Sequence, residues 1–473
     1  MHSQNIDLCV IGAGAAGLSV AATAAQLGLR VSVIERGKMG GECLNTGCVP
    51  SKALLAAAKT AHAIRHAKGF GIDSEPRIDF GRVHDHVHSV IAAIAPHDSI
   101  GRFEGLGVHV VQGEARFLAP RTVAVNGQEI RAQRVLIATG SEAAVPPIPG
   151  LQDVPFFTNE NIFENDKLPD HLIILGAGPI GLEMAQAFRR FGAAVTVLER
   201  AKAMPKDDQE LARTMLRRLT EEGIVIREGV ETKNIDRDGN SIVVTVQEDG
   251  RSGRLTGSHL LVAVGRKPRV AGLGLKNAGV EYNDKGIIVD SRLRTTARGT
   301  YAVGDVIDGP KFTHVCSYHA GIVIRNALFH LPANVNYASL PWVTYTDPEL
   351  AQIGMTEELA KARYGHDFRV VQVQYANNDR AQAERQPEGI LKLIARRNGR
   401  ILGASILGPQ AGELASTWVL AIERGLKAQQ IAQMIAPYPT WGELNKAVAA
   451  EFSKPKLFNA TMRRVVRILA YLP

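Results

Sequence analysis

The sequence predicts an α/β fold that is built on two copies of one strand–turn–helix–strand unit. The first copy, LCVIGAGAAGLSVAATAAQLGLRVSVIER, runs from Leu8 to Arg36, and the second, LIILGAGPIGLEMAQAFRRFGAAVTVLER, runs from Leu172 to Arg200. In each copy a continuous apolar run indicates a buried strand, and the alanine-rich stretch after the glycines indicates a helix. The segment from about residue 340 onward contains no further copy, so we expect a domain of another kind there.

Each copy carries a three-glycine pattern at its turn. The glycines are Gly12, Gly14 and Gly17 in the first copy and Gly176, Gly178 and Gly181 in the second. The first glycine permits a tight turn, the second lets the backbone approach a pyrophosphate, and the third lets the helix pack closely on the strand. The N-terminus of the helix then presents N–H groups to the phosphates. One such pattern is a weak signal, but two complete copies favour two Rossmann-like dinucleotide-binding domains.

An acidic residue ends the second strand of each copy, 23 residues beyond the first glycine: Glu35 and Glu199. A carboxylate at this position accepts hydrogen bonds from a ribose. Two such sites in one chain suggest a bound flavin dinucleotide and a diffusing nicotinamide dinucleotide. At the second site Glu199 would repel a 2′-phosphate, which favours NADH. Arg200, Lys202 and Lys206 follow closely and could accommodate a phosphate, so NADPH stays open.

Length and composition exclude several classes of protein. The 473 residues suggest about three domains, and no apolar run reaches the roughly 18 residues that a membrane span needs. The start of the sequence lacks the features of a signal peptide, and four cysteines are too few for a secreted disulfide scaffold. We therefore expect a cytoplasmic protein. The net charge is +8, but no nucleic-acid-binding signature accompanies it, so we expect no nucleic-acid partner.

Two of the cysteines, Cys43 and Cys48, lie close together directly after the first unit. Their spacing is uncommon for zinc, and no second pair exists to complete such a site. If a helix begins at Cys43, the pair spans just over one turn, within reach of a disulfide. A helix start also lowers the pKa of a thiol, which a reactive thiol needs. We interpret this pair as reactive, and Cys9 and Cys316 as structural.

At these cysteines the sequence resembles a known family, the flavin-dependent pyridine nucleotide-disulfide oxidoreductases. That family includes lipoamide dehydrogenase, glutathione reductase and mercuric reductase. The resemblance covers nearly the whole chain and rests on five segments: GGECLNTGCVPSK (Gly40 to Lys52), VLIATGS (Val135 to Ser141), VAVGRKP (Val262 to Pro268), TYAVGDV (Thr300 to Val306) and YTDPELAQIGMTE (Tyr345 to Glu357). The resemblance implies a flavin domain interrupted by a nicotinamide domain, followed by an α+β dimerisation domain.

The implied domain limits follow from these segments. They are 1–149 and 266–338 for the two parts of the FAD-binding domain, 150–265 for the inserted NAD(P)-binding domain, 339–452 for the dimerisation domain and 453–473 for a C-terminal extension. The implied cofactor residues are Gly12, Gly14, Gly17, Glu35, Gly41, Thr139, Gly140, Gly304, Asp305 and Thr313 for FAD, and Gly176, Gly178, Gly181, Glu199 and Gly265 for NAD(P). Among these, Asp305 would bind the ribityl chain of the flavin.

The resemblance also implies the route of electrons. NAD(P)H would reduce FAD, and FAD would reduce a Cys43–Cys48 disulfide on its other face. Cys48 would be the flavin-proximal thiol and Cys43 the thiol that reacts with the acceptor. Lys52 and Glu183 match an ion pair that the family places near the flavin ring, where Lys52 would favour anionic reduced flavin.

One position departs from the disulfide-reducing members of the family. They carry His-Pro-Thr-x-x-Glu near the C-terminus, and that His is the acid/base for the thiol in the partner subunit. Here the stretch reads Tyr438-Pro439-Thr440-Trp441-Gly442-Glu443, so the Glu is kept and the His is a Tyr. A Tyr titrates near pH 10 and a His near 6.5, so Tyr438 is a poor acceptor of a thiol proton at neutral pH. A Tyr at this position is similar to that of mercuric reductases.

Mercuric reductases also carry a vicinal cysteine pair near the C-terminus, whereas here no cysteine follows Cys316, and we expect no N-terminal metal-binding domain before Gly12. We therefore predict a homodimeric, mercuric-reductase-like enzyme that passes electrons from NAD(P)H to a small acceptor of another kind. Electrophiles such as hypothiocyanite, Cu(II), other metal complexes and quinones are open alternatives. A dihydrolipoamide dehydrogenase that tolerates Tyr438 is another alternative, and a redox sensor or membrane-docked electron-transfer partner is a third.

The last segment, SKPKLFNATMRRVVRILAYLP, predicts a basic amphipathic helix. Its apolar face comprises Met462, Val465, Val466, Leu469 and Leu472, and its basic face comprises Arg463, Arg464 and Arg467. Such a helix is typical of a segment that docks on a membrane surface or a partner. Packing on the dimer is the reading that we favour, and a cap over the substrate entrance is a further alternative.

Overall fold

The computed structural model describes residues 5–472, which form two compact units. The first unit comprises the described part of Met1–Arg200 together with Gly229–Val335, and the second comprises Ala201–Glu228 together with the described part of Asn336–Pro473. Each unit has its own apolar core. The domain limits drawn from the sequence remain predictions.

The strands follow in chain order, with the numbering that is kept below. They are β1 (Asn5–Ile11), β2 (Val31–Glu35), β3 (Val108–Gln112), β4 (Arg116–Ala119), β5 (Thr122–Val125), β6 (Gln128–Ile137), β7 (Ser141–Ala143), β8 (His171–Leu175), β9 (Ala194–Glu199), β10 (Val225–Glu228), β11 (Glu231–Asp238), β12 (Ser241–Glu248), β13 (Arg251–Gly257), β14 (His259–Val262), β15 (Arg266–Pro268), β16 (Tyr282–Asn283), β17 (Gly286–Ile287), β18 (Thr300–Ala302), β19 (Pro341–Thr344), β20 (Glu349–Gly354), β21 (Phe368–Gln374), β22 (Ile390–Arg396) and β23 (Ile401–Gly408).

The α-helices are numbered in the same way. They are α1 (Ala15–Gln26), α2 (Gly41–Asn45), α3 (Cys48–Arg65), α4 (Phe80–Ile94), α5 (Ile100–Gly105), α6 (Pro179–Phe191), α7 (Gln209–Glu221), α8 (Leu275–Ala278), α9 (Thr313–Val323), α10 (Glu357–Tyr364), α11 (Asp379–Ala383), α12 (Ala411–Glu423), α13 (Ala428–Ala432), α14 (Glu443–Leu457) and α15 (Ala460–Leu469).

The larger sheet of the first unit has the strand order β3-β2-β1-β6-β5-β4, with β18 also paired to β6. Strands β3, β2, β1, β6 and β18 run parallel, whereas β5 and β4 are antiparallel additions. The apolar run Leu8–Ile11 of β1 is buried throughout, as expected for a parallel strand that is covered on both faces. The chain leaves β1 through the first glycine turn and enters α1, so that turn lies at the carboxyl edge of the sheet.

The second glycine turn lies in an equivalent setting within the same unit. Here β8 is the central strand, with β9 and β14 parallel to it on either side, and the turn leads from β8 into α6. The antiparallel sheet β11-β12-β13 lies beside this sheet, and the two share an apolar core that includes Ile173, Val244 and Leu260. The predicted α/β fold with two Rossmann-like units is confirmed.

The second unit is built on the antiparallel sheet β19-β20-β23-β22-β21. Every residue of β23 is buried, and α12 and α14 pack against the sheet around the buried Trp418. The indole Nε1 of Trp418 donates to Asn445 Oδ1 of α14 at 2.8 Å, which satisfies the polar atom of this large side chain. This arrangement agrees with the α+β domain that the family resemblance implies for the C-terminal part of the chain.

The C-terminal helix α15 exposes its apolar side chains. Asn459 caps it by accepting a hydrogen bond from Met462 N at 2.8 Å. Val466, Ile468 and Leu469 are more than half exposed, and the helix has no buried residue. The predicted amphipathic helix is therefore present, and its apolar face is exposed in the single chain. Within residues 5–472, no helix is both long enough and apolar enough to cross a membrane.

Candidate active site

The first glycine turn is shaped by close backbone contacts. Gly12 has φ +105°, and a Cβ there would lie 2.4 Å from Ala138 O of the neighbouring strand end. A Cβ on Gly17 would lie 2.0 Å from Gly12 O, so only glycine lets α1 pack this closely on the turn. At Gly14 the nearest atom to such a Cβ is Gly41 Cα at 3.9 Å, so this position is open. An open backbone at the start of a helix is what a pyrophosphate requires.

The second glycine turn reproduces the first almost atom for atom. Gly176 also has φ +105°, and a Cβ there would lie 2.5 Å from Ala263 O. A Cβ on Gly181 would lie 2.1 Å from Gly176 O, and one on Gly178 would meet no atom within 4 Å. The two predicted dinucleotide turns therefore have the same local geometry, and both fit a dinucleotide.

The two strand-end acids contact their own glycine turns. Glu35 accepts a hydrogen bond from Ala13 N at 2.6 Å and another from Gly37 N at 2.7 Å. Glu199 accepts from Ala177 N at 2.9 Å. Ala13 and Ala177 each follow the first glycine of their turn, so both acids contact the same position of the turn. The sequence predicts contact with a ribose, and the structure adds that each carboxylate also holds its turn in place.

The cysteine pair lies at a break between two helices. Cys43 is in the short helix α2, and Cys48 is the first residue of the 18-residue helix α3, with Thr46 and Gly47 between the helices. The single helix from Cys43 that the sequence analysis considers is therefore wrong. Both sulfurs are free thiols, with Cys43 half-buried and Cys48 exposed. The break leaves Cys48 at a helix N-terminus, where a thiolate is favoured.

The two sulfurs have opposite proton affinities. The side chain of Cys43 donates a hydrogen bond to Cys48, which lowers the pKa of Cys48 to about 6 and raises that of Cys43 far above its usual range. The hydroxyl of Thr313, with Oγ1 3.3 Å from Cys48 Sγ, and the charge of Lys52 lower the pKa of Cys48 further. Burial opposes these effects at Cys48. In the dithiol form Cys48 is thus the thiolate and Cys43 the thiol.

Lys52 and Glu183 form an ion pair that joins two helices of the first unit. Lys52 lies one turn after Cys48 in α3, and its Nζ is 2.7 Å from Glu183 Oε2 of α6. The Glu183 side chain is 5% exposed and the Lys52 side chain 39%, so the buried carboxylate faces a partly exposed ammonium. The helix that follows the cysteines is thereby tied to the helix that follows the second glycine turn.

The other residues predicted to hold the flavin lie around the first glycine turn. A Cβ on Gly41 would lie 2.7 Å from Gly14 Cα, so the cysteine segment touches the turn itself. Asp305 follows Gly304 and accepts from Ser141 Oγ at 2.7 Å. The backbone N of Gly304 donates to Nδ1 of the buried His319 at 3.2 Å, and burial lowers the pKa of His319 to about 4, so the ring is a neutral acceptor.

The remaining predicted cofactor residues make hydrogen bonds beside the strands that connect the two dinucleotide regions. Thr139 Oγ1 donates to Arg269 O at 2.8 Å, and Arg269 N donates to Gly140 O at 3.0 Å. Gly265 O accepts from Ala144 N at 2.9 Å, beside the antiparallel pair of β7 and β15. These contacts fix the strands through which the chain passes between the regions.

A partly buried polar network around Glu42, the residue before Cys43, was not predicted from the sequence. The carboxylate of Glu42 pairs with the Arg266 guanidinium and accepts from Asn159 Nδ2 at 2.9 Å. Arg266 Nε also donates to Ser141 Oγ at 2.8 Å and lies 3.7 Å from Asp305 Oδ2. Burial raises the pKa of Glu42 to about 7, against the opposing charge of Arg266. Glu42 and Arg266 both lie in segments that resemble the family, so this resemblance could have pointed to them as site residues.

Tyr438 and Glu443 lie in the second unit, and each has its own contact there. The Tyr438 hydroxyl donates to Asp379 Oδ2 at 2.8 Å, and this hydrogen bond raises the pKa of the phenol. Glu443 begins α14 and accepts from Thr440 N at 3.3 Å. Tyr438 is 70% exposed. Asp379 was not predicted as the partner of Tyr438, because nothing in the sequence around Asp379 indicates a contact with that residue.

The remaining two cysteines are poor nucleophiles. Cys9 is fully buried in β1, and burial raises its pKa to about 12. Cys316 lies in α9, where burial likewise raises its pKa to about 12. Both therefore stay protonated at neutral pH, in contrast to Cys48.

Comparison with known proteins gives consistent matches along the chain. Residues 6–320 match the family model described as pyridine nucleotide-disulphide oxidoreductase, and residues 340–448 match the dimerisation domain of the same family. A mercuric reductase of Bacillus cereus is 34% identical over 96% of this chain and 72% of its own length. A dihydrolipoyl dehydrogenase of Thermus scotoductus is 35% identical over 93% of this chain and 96% of its own.

A solved structure extends these matches to the fold. It is the Cu(II) complex of an HOCl-induced flavoprotein disulfide reductase from Escherichia coli. It superimposes with a TM-score of 0.86 at 30% identity, covering 95% of this chain and 99% of the other.

Proposed function

Because the chain belongs to the pyridine nucleotide-disulphide oxidoreductase family, we propose that it uses the Cys43–Cys48 pair to reduce a small acceptor other than a lipoamide-type disulfide. The observation that carries this proposal is the hydrogen bond from Tyr438 to Asp379, at the position where disulfide-reducing relatives have a histidine. The proposal concerns the acceptor alone. As a member of this family, the protein is an oxidoreductase that uses FAD and NAD(P)H.

The glycine turns supply the fit for the two cofactors. The open Gly14 and the approach of Gly41 leave bare backbone at the N-terminus of α1 for the FAD pyrophosphate. Gly178 leaves the same opening at the N-terminus of α6 for NAD(P)H. When bound, the flavin supplies two-electron chemistry between a nicotinamide and a disulfide. Asp305 and Thr313 belong to the residues that would hold it.

The protein residues then set the protonation of the dithiol. Cys48 carries the negative charge, stabilised by the Cys43 thiol, the Thr313 hydroxyl and Lys52. Cys43 keeps its proton in this state. When the pair reduces an acceptor, the S–S bond forms, two electrons pass to the acceptor and the proton of Cys43 is released. A proton acceptor is therefore needed only at Cys43.

Tyr438 is unsuited to accept that proton. Its hydroxyl already donates to Asp379, and its pKa lies above the ordinary value near 10. General acid–base help is worth roughly 100- to 10,000-fold. An exchange between a thiol and a disulfide substrate loses that factor here, whereas a soft metal ion binds the thiolate directly and displaces the proton. This difference favours a metal complex or a small reactive electrophile as the acceptor.

A second enzymatic candidate is a dihydrolipoamide dehydrogenase. The match with the dihydrolipoyl dehydrogenase of Thermus scotoductus favours this candidate, because it covers 96% of that protein's length. Under this alternative the Tyr438 hydroxyl is tolerated, and lipoamide is turned over without a histidine at that position.

The test is the initial rate of NADH oxidation by the FAD-loaded protein with lipoamide, thiol-complexed Hg(II) or Cu(II) as acceptor. We expect negligible lipoamide turnover and faster turnover with at least one metal acceptor. Tyr438→His is expected to raise lipoamide turnover, with Tyr438→Phe as the matched control that removes the hydroxyl without adding a base. Fast lipoamide turnover by the unaltered protein would favour the dehydrogenase and contradict the proposal.

We also propose that NADH is preferred to NADPH and that the working form is a homodimer. Glu199 places a carboxylate at the end of β9, where it disfavours a 2′-phosphate. Glu199→Ala is expected to weaken NADH more than NADPH, measured as the KM for each. Unchanged selectivity would remove the argument for NADH.

The proposed homodimer is supported by the match of residues 340–448 to a dimerisation domain, and sedimentation velocity measures the oligomeric state directly.

A membrane-docked role for the tail rests on α15. Its exposed apolar side chains lie beside Arg463, Arg464 and Arg467, a combination that suits an anionic membrane surface. Co-sedimentation with vesicles that contain anionic lipid tests this role. Binding that survives deletion of residues 459–473 would contradict it.

A further inference from the structure

Helix α4 carries three histidines within five residues, in the sequence HDHVH. His84 and His88 are one turn apart and flank the buried Val87, so both lie on the inner face of the helix. Their ring centroids are 4.2 Å apart. The carboxylate of Glu164 comes from the short helical turn Ile162–Glu164, and its Oε2 is 3.8 Å from His88 Nε2.

We propose that His84, His88 and Glu164 form a binding site for a divalent transition-metal ion, separate from the cysteine pair. One ligand atom of each residue lies within 4.8 Å of the other two. A tetrahedral zinc ion with bonds of about 2.0–2.2 Å holds its ligand atoms about 3.4 Å apart. The site therefore closes through side-chain movements on the order of 1 Å. Glu164 is exposed and can make such a movement.

The donor set selects the class of ion. Two imidazole nitrogens and one carboxylate suit Zn(II), Cu(II) or Ni(II), whereas Mg(II) and Ca(II) require sites built from oxygen ligands. The Asp85 carboxylate lies 3.6 Å from His84 Nδ1 and is placed to orient that ring, as carboxylates next to metal-binding histidines commonly do. The wall beside His84 is apolar and includes Leu54, Phe80 and Phe188.

A bound ion would tie α4 to the segment of residues 158–164. His88 Nε2 faces that segment, where it donates to Phe163 O at 3.2 Å, and this nitrogen exchanges the hydrogen bond for the ion when the site is filled. Asn159, in the same segment, donates to Glu42 at 2.9 Å, next to Cys43. The ion would thus stabilise the segment that supports the residue before Cys43, without contacting either sulfur.

The experiment must separate this site from the two active thiols. The test uses full-length, FAD-loaded protein that carries Cys43→Ser and Cys48→Ser. Zn(II) binding to this protein is measured by equilibrium dialysis, with Zn(II) as the only added ligand. We expect one tightly bound Zn(II) per chain and a rise in the thermal midpoint on its addition. Adding His84→Asn and His88→Asn should weaken this binding at least about tenfold and abolish the rise.

His66→Asn is the matched control. His62 and His66 also lie one turn apart, in α3, with ring centroids 4.1 Å apart. Among residues 5–472 this pair has no third ligand that completes a metal-binding group. His66→Asn is therefore expected to leave the tight site unchanged.

Glu164→Gln provides a second test at a side chain that is 60% exposed, where we expect the substitution to leave folding undisturbed. It too should weaken Zn(II) binding at least about tenfold. The proposal is overturned if the serine background binds no Zn(II), if the histidine and Glu164 variants bind as tightly as that background, or if His66→Asn weakens binding equally.

Discussion

Three neighbours favour the thiolate of Cys48: the Cys43 thiol, the Thr313 hydroxyl and the Lys52 ammonium. The contact with Thr313 does not follow from the Cys-x4-Cys spacing, because Thr313 is 265 residues away in the sequence. The pKa of about 6 means that Cys48 is ionised through most of the physiological range. The sulfur of Cys48 is therefore already a thiolate before any acceptor binds.

A titration of the reduced, FAD-loaded protein tests this thiolate. A thiolate beside bound flavin adds a long-wavelength absorbance band, and we expect the band to vanish on acidification with a midpoint near pH 6. Thr313→Val removes a hydrogen bond to the charged sulfur and should raise the midpoint by roughly one unit. Cys316→Ser is the control and should change nothing. A band that persists in Cys48→Ser would contradict the assignment of the thiolate.

Glu42 gives the stability of the protein a distinct dependence on pH. Its pKa is about 7 in the folded protein and 4.5 as its ordinary value, so the folded state holds the proton more tightly. Its contribution to stability is therefore complete below about pH 4.5 and is lost as the pH rises through 7. Glu42→Gln removes this titration while keeping an acceptor for Arg266.

We therefore expect Glu42→Gln to gain stability relative to the unaltered protein as the pH rises from 5 to 8, by about 1–3 kcal/mol. Thermal midpoints measured across this range check the prediction. The value at the lowest pH is the internal control, because the protonated carboxyl and the amide are then nearly equivalent. A difference between the two proteins that stays constant with pH would refute it.

At the scale of elements, α3 and α6 are joined by the pair of Lys52 and Glu183. Removing Lys52 leaves a carboxylate that is 5% exposed without this cation. Removing one cation from beside a buried carboxylate is costly, but Lys52 is partly exposed, so we expect a loss of roughly 1–3 kcal/mol for Lys52→Met. Glu183→Gln should cost less, because the lysine that remains has access to water.

A double-mutant cycle in thermal midpoints isolates the pair from its surroundings. If Lys52→Met and Glu183→Gln are additive, the pair contributes no coupling and the prediction is wrong. If the double variant loses less stability than the two single variants together, α3 and α6 stabilise each other through this contact.

Local sequence patterns were sufficient to place the elements that carry the glycine turns. Gly12 and Gly176 could be read as turn residues because the apolar run before each and the alanine-rich run after each define their setting. The break at Thr46 and Gly47 was not predicted, although Gly47 lies at the break and Pro50 lies in the first turn of α3, where a proline is tolerated. The amphipathic character of α15 was predicted because it depends on spacing along one helix.

Contacts between distant segments were beyond the reach of such patterns. Glu42 and Arg266 are 224 residues apart, and Tyr438 and Asp379 are 59 apart. Each pair is created by chain topology, so neither local spacing nor residue type indicates the partner. Lys52 and Glu183 were foreseen through family resemblance, which carries such long-range information.

For the whole molecule, two glycine turns of equal geometry predict two separable binding losses. Gly14→Ala places a methyl group in open space, so the protein should fold but bind FAD poorly. Gly178→Ala should leave FAD bound and raise the KM for NADH. Flavin absorbance per chain and steady-state rates separate the two outcomes.

Gly17→Ala and Gly181→Ala are the contrasting variants, because a Cβ at either site overlaps a backbone oxygen about 2 Å away. They should lower the thermal midpoint as well as the binding of the corresponding dinucleotide. If Gly14→Ala retained full flavin while Gly178→Ala lost it, the assignment of FAD to the first glycine turn and of NADH to the second would have to be reversed.

The paired thiols of Cys43 and Cys48 also give the molecule a chemical handle. Two sulfurs within hydrogen-bonding distance of each other can chelate one trivalent arsenic atom, whereas a disulfide cannot. An arsenical resin should therefore retain the dithiol protein and let the oxidised protein pass. Chromatography of this kind would sort a mixed preparation by oxidation state, with the cysteine pair as its own label.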